Sequence, residues 1–110
     1  ANEIPEDFSQ ALAEFEQSLS PDVTPAWMAH RSNLPPQRLA RLIKRLFGLT
    51  PIQFITKSRI AAASRMLLDP APSVAEIALA CGFSDHSAFT RAFRSASGMT
   101  PSAFRTQQLG

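Results

Sequence analysis

The sequence is poor in cysteine, glycine and tyrosine: its 110 residues contain one cysteine, four glycines and no tyrosine. A single cysteine, Cys81, excludes a disulfide within the chain and favours a reducing compartment. No apolar run approaches the roughly 18 residues of a membrane-spanning helix. The first residues lack the charged and then apolar pattern of a signal peptide. These absences predict a cytoplasmic domain without membrane contact.

Residues with catalytic or metal-binding spacing are also missing. His30 and His86 stand far apart in the sequence and lack the spacing of metal ligands. The few glycines do not form a phosphate-binding loop. Cys81 falls on the apolar stripe of a predicted helix, which favours a small core residue over a nucleophile. We therefore predict that the chain is not an enzyme and that it holds neither a metal nor a cofactor.

Acidic residues are absent from the middle of the chain. Residues 1–22 carry six acids and no base, whereas eight bases and no acid lie between Asp22 and Asp69. A positive field of this kind attracts a polyanion. On charge alone, a solvated basic face is an equal alternative. A polybasic membrane surface is disfavoured because the bases are spaced along patterned helices.

Apolar residues recur at intervals of three and four, and no alternating run is long enough for a sheet. This pattern predicts an all-α chain. Caps and helix breakers divide it into about seven helices, with predicted spans of 6–19, 25 to about 32, 36–47, 51–68, 74 to about 81, 85–97 and 101–104. The sixth helix has either Ser84 or Asp85 as its cap.

A segment of the chain is repeated. Residues 48–54 (GLTPIQF) recur 50 residues later as 98–104 (GMTPSAF), and the segments before them also match. Each copy consists of a short helix, a tight turn, a longer helix and a Gly-x-Thr-Pro restart, which is typical of a helix-turn-helix. Asn33 and Gly82 stand where the turn needs a left-handed backbone.

The repeat predicts four parts within one domain. Residues 1–22 form an acidic segment and a first helix that packs on the first subdomain. The first helix-turn-helix spans 23–50 and a linker helix spans 51–69. The second helix-turn-helix and a C-terminal helix span 70–110.

The second unit resembles the AraC/XylS family of bacterial transcription regulators. The matching segments are 73–78 (SVAEIA), 81–85 (CGFSD), 89–94 (FTRAFR), 98–101 (GMTP) and 104–105 (FR), and the resemblance covers about residues 8–106. It implies two homeodomain-like helix-turn-helix subdomains joined by a long helix, whose two reading helices enter adjacent major-groove segments of double-stranded DNA. It also implies transcription activation, contact with RNA polymerase, and a sensor or dimerisation domain outside this chain.

Two positions depart from the family pattern. Trp27 stands where the second unit has Glu76, and we expect it to pack on a neighbouring helix or to contact a domain outside this chain. Pro35-Pro36 replaces the usual hydroxyl cap of the first reading helix. Proline suits the first helical turn, but the cap hydrogen bond is lost.

The predicted helix 36–47 separates into an apolar arc, which must pack on other helices, and a basic arc, which must face water or a partner. The N-terminal part of the basic arc would lie deepest in a major groove. We therefore expect base reading by Gln37, Arg38, Ala40 and Arg41. Lys44 and Arg45 lie further along the helix and fit phosphate contacts.

In the second unit, the resemblance places base reading at His86, Ser87, Thr90 and Arg91, and Arg94 is the expected phosphate contact. Helix starts offer further N–H groups to phosphates, at Thr24, Thr50, Ser73 and Thr100. Simple solvation is the alternative for each of these side chains. It is least favoured for Arg41 and Arg91, which occupy equivalent places in the two units.

The leading hypothesis is therefore a cytoplasmic, nucleoid-associated module that binds specific double-stranded DNA and regulates transcription. The alternative is a helix-turn-helix protein-interaction module whose basic face contacts RNA polymerase or a sensor domain.

Overall fold

A computed structural model describes residues 3–110, so the first two residues of the predicted segment 1–22 lie outside the described residues. Within this range the chain forms seven helices and no strand. The helices are α1 (Glu6–Ser18), α2 (Pro25–Arg31), α3 (Pro36–Phe47), α4 (Pro51–Met66), α5 (Val74–Ala80), α6 (His86–Ser97) and α7 (Pro101–Leu109). The predicted all-α class is confirmed. None of these helices is both long and apolar enough to cross a membrane.

The predicted end of the last helix is wrong. We expected it to stop at Phe104, but α7 continues to Leu109. Arg105 anchors this continuation, because its Nε donates to the carbonyl oxygen of Leu67 at 3.2 Å and its Nη2 donates to that of Asp69 at 3.0 Å. These carbonyls follow the end of α4, where the last carbonyl groups of a helix lack partners within it. Arg105 therefore satisfies the end of α4 and holds α7 in place.

The chain divides into two compact units, Ala1–Ile55 and Thr56–Gly110, with the boundary inside α4. The residue bounds predicted for the acidic segment, the two helix-turn-helix parts and the linker helix stay predictions.

The first unit has a core built from α1, α2, α3 and the start of α4. Phe8, Phe15, Met28 and Ile43 are completely buried within it. Trp27 is half-buried against the same cluster. Of the two roles expected for this residue, the structure therefore favours packing on the neighbouring helices.

Two acidic residues of α1 bond to the first helix-turn-helix. Glu14 forms an ion pair with Arg31 at the end of α2, with Nε of Arg31 lying 3.1 Å from Oε2 of Glu14. Asp7 Oδ2 accepts a hydrogen bond of 2.8 Å from Nδ2 of Asn33 in the turn. Some of the acidic residues within 1–22 therefore hold α1 against the first helix-turn-helix.

The second unit buries a row of aromatic rings. Phe89 and Phe93 on α6 are completely buried, with ring centroids 5.8 Å apart. Phe93 meets Phe104 of α7 at 5.3 Å, edge to face. Such rings stabilise a fold both by burial, at roughly 1.5–3 kcal/mol each, and by their quadrupoles. Ala96, three residues after Phe93, lies near the end of α6 and is exposed.

The predicted caps are present at five helix starts. A side-chain oxygen accepts a hydrogen bond from the N–H three residues later at Thr24, Thr50, Ser73, Asp85 and Thr100. Asp85, and not Ser84, is therefore the cap of α6. At Ser73 the bond is reciprocal, because Glu76 accepts from the Ser73 N–H at 2.9 Å.

The Ser73–Glu76 capping box predicts a pH-dependent stability. The hydrogen bonds from the Ser73 backbone and hydroxyl lower the pKa of Glu76 below its ordinary value of 4.5. Because the folded-state pKa is lowered, this contribution is present above the unfolded value and is lost as the pH falls through the folded value. Glu76→Gln should therefore lower the free energy of unfolding at pH 7, and the difference from the wild type should shrink below pH 4.5.

Urea unfolding at several pH values measures this difference. The chain offers a reverse variant, because Gln53 occupies the same capping position on α4 and its Oε1 accepts from the Thr50 N–H at 3.0 Å. Gln53→Glu should gain stability with the same direction of pH dependence. A Glu76→Gln difference that stays constant down to pH 3 would contradict the prediction.

Candidate nucleic-acid interface

One face of α3 is buried and the opposite face is cationic. Leu39, Leu42 and Ile43 pack into the core of the first unit. On the other side, the structure exposes all the predicted cationic and amide side chains of this helix, while Ala40 is half-buried; the exposed ones are Gln37, Arg38, Arg41, Lys44 and Arg45. No acidic residue occurs within Pro36–Phe47. The helix therefore presents four cations that no acid on the same helix neutralises.

Three of these cations share one groove. Arg38, Arg41 and Arg45 line it at successive turns of α3, and the groove has a volume of about 450 Å³. Leu34 and Leu42 add apolar surface. The remaining lining residues are Glu3 and Pro5, from the segment before α1. A carboxylate at this position competes with any anion for the arginines, and the sequence reasoning did not anticipate it.

The start of α3 has no side-chain cap, as expected. Pro35 is the N-cap residue, with an extended backbone at φ −60° and ψ 151°. Its carbonyl oxygen accepts from the N–H groups of both Arg38 and Leu39 at 3.0 Å. The backbone therefore begins this helix at the predicted residue without a hydroxyl.

The predicted reading face of α6 is less positive than that of α3. Its predicted residues His86, Ser87, Arg91 and Arg94 are exposed and Thr90 is half-buried, while Phe89 and Phe93 point into the core. The capping carboxylate of Asp85 lies at the start of the helix, 2.7 Å from the Ala88 nitrogen. It occupies the position where a helix N-terminus attracts an anion. Attraction of a polyanion to this face therefore depends on Arg91 and Arg94.

The four predicted phosphate contacts at helix starts are already engaged in capping. Thr24 Oγ1 accepts from the Trp27 N–H at 3.0 Å, and Thr100 Oγ1 accepts from the Ala103 N–H at 3.1 Å. At Thr50 and Ser73 the backbone N–H is also bonded, to the side chains of Gln53 and Glu76. Thr24 and Thr100 therefore keep more backbone donors for a phosphate than Thr50 and Ser73 do. Contact with phosphate stays a prediction for all four.

Lys44 is held at the end of α3. Its Nζ donates to the carbonyl oxygen of Gly48 at 3.3 Å, and Gly48 closes the helix with a left-handed backbone at φ 73°. The ammonium group therefore stays near the C-terminal end of the reading face, further along than Arg38 and Arg41, which is the place expected of a phosphate contact.

Both predicted turns have the expected backbone. Asn33 has φ 55° and Gly82 has φ 86°, in the left-handed region that these residues tolerate best. In each unit, the helix before the helix-turn-helix bonds to this part of the chain. Asp7 of α1 bonds to Asn33, and Arg59 of α4 donates to the carbonyl oxygen of Cys81 at 3.0 Å.

The role of Arg59 was missed by the sequence reasoning. A signal for it exists, because Ala62 and Ala63, three and four residues later, are both buried, as is Arg59 itself at 6% exposure. A charged residue on an apolar stripe implies a specific polar partner. The apolar spacing of α4 therefore indicates that Arg59 lies on the buried side of the helix. The identity of its partner is known only from the tertiary structure.

Cys81 is a core residue, as expected. It is completely buried, and burial raises the pKa of its thiol against the opposing effects of Arg59 and Arg65. A thiol in this state is a poor nucleophile. Across residues 3–110 no group of three or more histidine, cysteine, aspartate or glutamate residues is arranged to hold a metal ion.

Known proteins are similar to this chain in sequence and in fold. The family described as "Helix-turn-helix domain" matches residues 28–107. The transcriptional activator RhaS of Pectobacterium carotovorum is 34% identical over 96 residues, which are 87% of this chain and 34% of that protein. The transcriptional regulator ArgR of Pseudomonas aeruginosa is 29% identical over 93% of the chain and 31% of that protein. The chain thus spans about a third of the length of the curated relatives it matches.

Solved structures are similar to most of the chain, and two of them bear on its function. The DNA-binding domain of AdpA, in complex with a target DNA, is 27% identical with a TM-score of 0.85, over 92% of this chain and 91% of that one. An AraC-type regulator from Chromobacterium violaceum is 25% identical with a TM-score of 0.80, over 93% and 91%.

The missing cap of α3 can be tested through stability. Pro35→Ser places a hydroxyl where it can accept from the N–H of Gln37 or Arg38, whereas Pro35→Ala provides no acceptor. Both variants lose the rigid proline equally, so their difference isolates the cap. The serine variant should be more stable than the alanine variant by about 1 kcal/mol, measured by urea unfolding. Equal stability of the two variants would show that the start of α3 gains nothing from a side-chain cap.

Proposed function

The chain belongs to the AraC-type helix-turn-helix family and is a DNA-binding domain of the kind found in transcription regulators rather than an enzyme; from this premise, we propose that α3 and α6 each read a major-groove segment of specific double-stranded DNA. The observation that carries the proposal is the groove in which Arg38, Arg41 and Arg45 stand in a row on α3, next to the core residue Leu42. A related domain of the same fold is bound to its target DNA.

Base reading is assigned to the exposed N-terminal halves of the two helices. Arg41 and Arg91 can each donate two hydrogen bonds to O6 and N7 of a guanine, and Gln37 can pair with adenine. Ala40 is suited to a thymine methyl group. The remaining proposed base-reading residues are Arg38, His86, Ser87 and Thr90.

Phosphate contacts are assigned to the cations further along the two helices and to the helix starts. Lys44 and Arg45 follow the base-reading residues of α3, and Arg94 follows those of α6. Thr24, Thr50, Ser73 and Thr100 contribute at helix starts, where Thr24 and Thr100 retain the more accessible donors. The cations of α3 supply the larger share of the attraction, because Asp85 opposes an anion at the start of α6.

The regulated process is proposed from the relatives. RhaS is named a transcriptional activator, which supports activation of transcription. Contact with RNA polymerase is proposed as the route of that activation. Because the chain spans about a third of such relatives, a sensor or dimerisation domain outside it is also proposed. The place of action would be the cytoplasm, in association with the nucleoid.

The alternative function is a protein-interaction module whose basic face contacts RNA polymerase or a sensor domain. A mobility-shift experiment with genomic promoter fragments separates the two functions. Saturable binding that survives competitor DNA supports specific DNA recognition. The absence of a shift at every salt concentration would contradict it and would favour the protein partner. Selection from a random DNA pool should then yield two blocks about one helical turn apart.

The equivalent arginines Arg41 and Arg91 provide a prediction about base reading. Arg41→Ala and Arg91→Ala should each weaken binding to the selected site by roughly 1–3 kcal/mol, and weaken binding to random DNA much less. Arg41→Lys is the matched control, because it keeps the charge but loses the two-pronged donor. It should behave like alanine on the selected site and like the wild type on random DNA. Equal losses on both DNAs would remove the base-reading role.

The proposed phosphate contacts predict a change in salt dependence. Alanine at a phosphate-contacting cation should reduce the magnitude of the slope of log Kobs against log salt concentration by about 0.9. It should also weaken binding to all DNA sequences alike. The variants are Lys44→Ala, Arg45→Ala and Arg94→Ala. Fluorescence anisotropy at salt concentrations between about 50 and 300 mM measures the slope. A variant whose slope matches the wild type does not contact a phosphate.

A further inference from the structure

Arg59 is a buried cation within α4, with only 6% of its surface exposed. Its Nη1 donates a hydrogen bond of 3.0 Å to the carbonyl oxygen of Cys81, in the same unit of the chain. Cys81 is the C-cap residue of α5, and the last carbonyl groups of a helix have no partner within it. A charge-assisted bond to such a carbonyl is among the stronger hydrogen bonds in proteins.

The burial of this guanidinium group is unfavourable by itself. Desolvation lowers the pKa of Arg59, opposed by its interaction with Cys81, which shows that its surroundings disfavour a charge. An apolar side chain of similar volume avoids that cost. An apolar residue cannot reproduce the bond to the end of α5.

The bonded carbonyl lies at the start of the turn that leads to α6. Gly82 follows with φ 86°, and its N–H bonds to Leu79 at 3.0 Å. The Phe83 N–H donates a hydrogen bond of 3.0 Å to the carbonyl oxygen of Ala78. Asp85 then caps α6. Only residues 82–84 separate the bonded carbonyl from the cap of the reading helix. A displacement of this carbonyl therefore changes the angle at which α6 leaves α5.

The first unit has a similar anchor with different chemistry. There, Asp7 of α1 bonds to the side-chain amide of Asn33 at 2.8 Å, and Asn33 is the counterpart of Gly82 in the repeat. That bond is exposed and joins two side chains, whereas the Arg59 bond is buried and joins a side chain to the backbone. Exposed bonds of this kind contribute little, so the stronger anchor belongs to the second unit.

We propose that Arg59 is a positioning residue that anchors the end of α5 and so sets the base preference of the second reading helix without touching DNA. The proposal rests on the proposed function, because it assigns to Arg59 the specificity of the DNA block read by α6. It predicts that loss of the anchor affects that block selectively. A residue that only supported the fold would change binding to both blocks together.

The test compares three versions of the full chain: wild type, Arg59→Met and Arg59→Lys. Methionine keeps the apolar volume and removes the donor, whereas lysine keeps the charge and one donor. Dissociation constants are measured on the selected site and on two altered sites, one with a base changed in each block. In Arg59→Met, the ratio of dissociation constants between the altered and the selected α6 block should fall by about tenfold, which is the value of one good base contact. The corresponding ratio for the α3 block should stay unchanged. Arg59→Lys should restore part of the discrimination in the α6 block.

Asp7→Ala removes the acceptor of the Asn33 amide. It is the matched variant in the first unit and should leave the α6 block unaffected. If Arg59→Met does not fold, as judged by thermal unfolding, the decision falls to Arg59→Lys, which should lose a smaller part of the same discrimination. Equal losses in both blocks, or unchanged discrimination in the α6 block, would overturn the proposal.

Residual dipolar couplings of the DNA-free chain separate this proposal from the proposed function. Couplings of residues 86–97 relative to 74–80 should change in Arg59→Lys, because α6 changes its angle to α5. Unchanged couplings would refute the positioning role even if the wild type binds DNA specifically. Changed couplings in a chain that binds no specific DNA would refute the proposed function and the specificity role. Arg59 would then only anchor the end of α5.

Discussion

The apolar stripe of each proposed reading helix, α3 and α6, must be buried before the polar face of that helix has a defined direction. Neither helix-turn-helix has enough helices to do this alone, because a two-helix unit leaves one side of its apolar surface open. In the first unit α1 covers that side with Phe8 and Phe15. In the second unit Phe93 packs against Phe104 of α7. The orientation of each reading face is therefore a consequence of helices that are not proposed to read bases themselves.

The two units solve the same packing problem with different electrostatics. The first has four exposed cations on α3 and a start made of prolines, whereas the second has two arginines on α6 and a carboxylate at its start. Long-range attraction to a polyanion depends on summed charge, and specificity depends on donors at defined positions. The first unit therefore attracts a polyanion more strongly than the second. Glu3, in the same groove as the arginines of α3, sets a limit on that attraction.

Much of the architecture follows from local rules. The caps at Thr24, Ser73 and Thr100, the left-handed residues Asn33 and Gly82, and the span of α3 are as predicted, because each depends on interactions within a few residues of the chain. The end of α7 was mispredicted for the opposite reason. Its continuation depends on Arg105 reaching carbonyl groups of Leu67 and Asp69, which are distant in sequence.

The sequence by itself determined that the chain is helical, that it contains two related helix-turn-helix units, and which side chains can face a partner. Periodicity and capping are local, and the repeat doubles the signal. Only the tertiary structure decided that Trp27 packs inward, that the acids of α1 bond to Arg31 and Asn33, and that Arg59 is bonded to the end of α5. A pattern can show that a charged residue lies on a buried stripe. Its partner is known only when the chain has brought two distant segments together, because hydrogen bonds depend on distance and direction and not on spacing in the sequence.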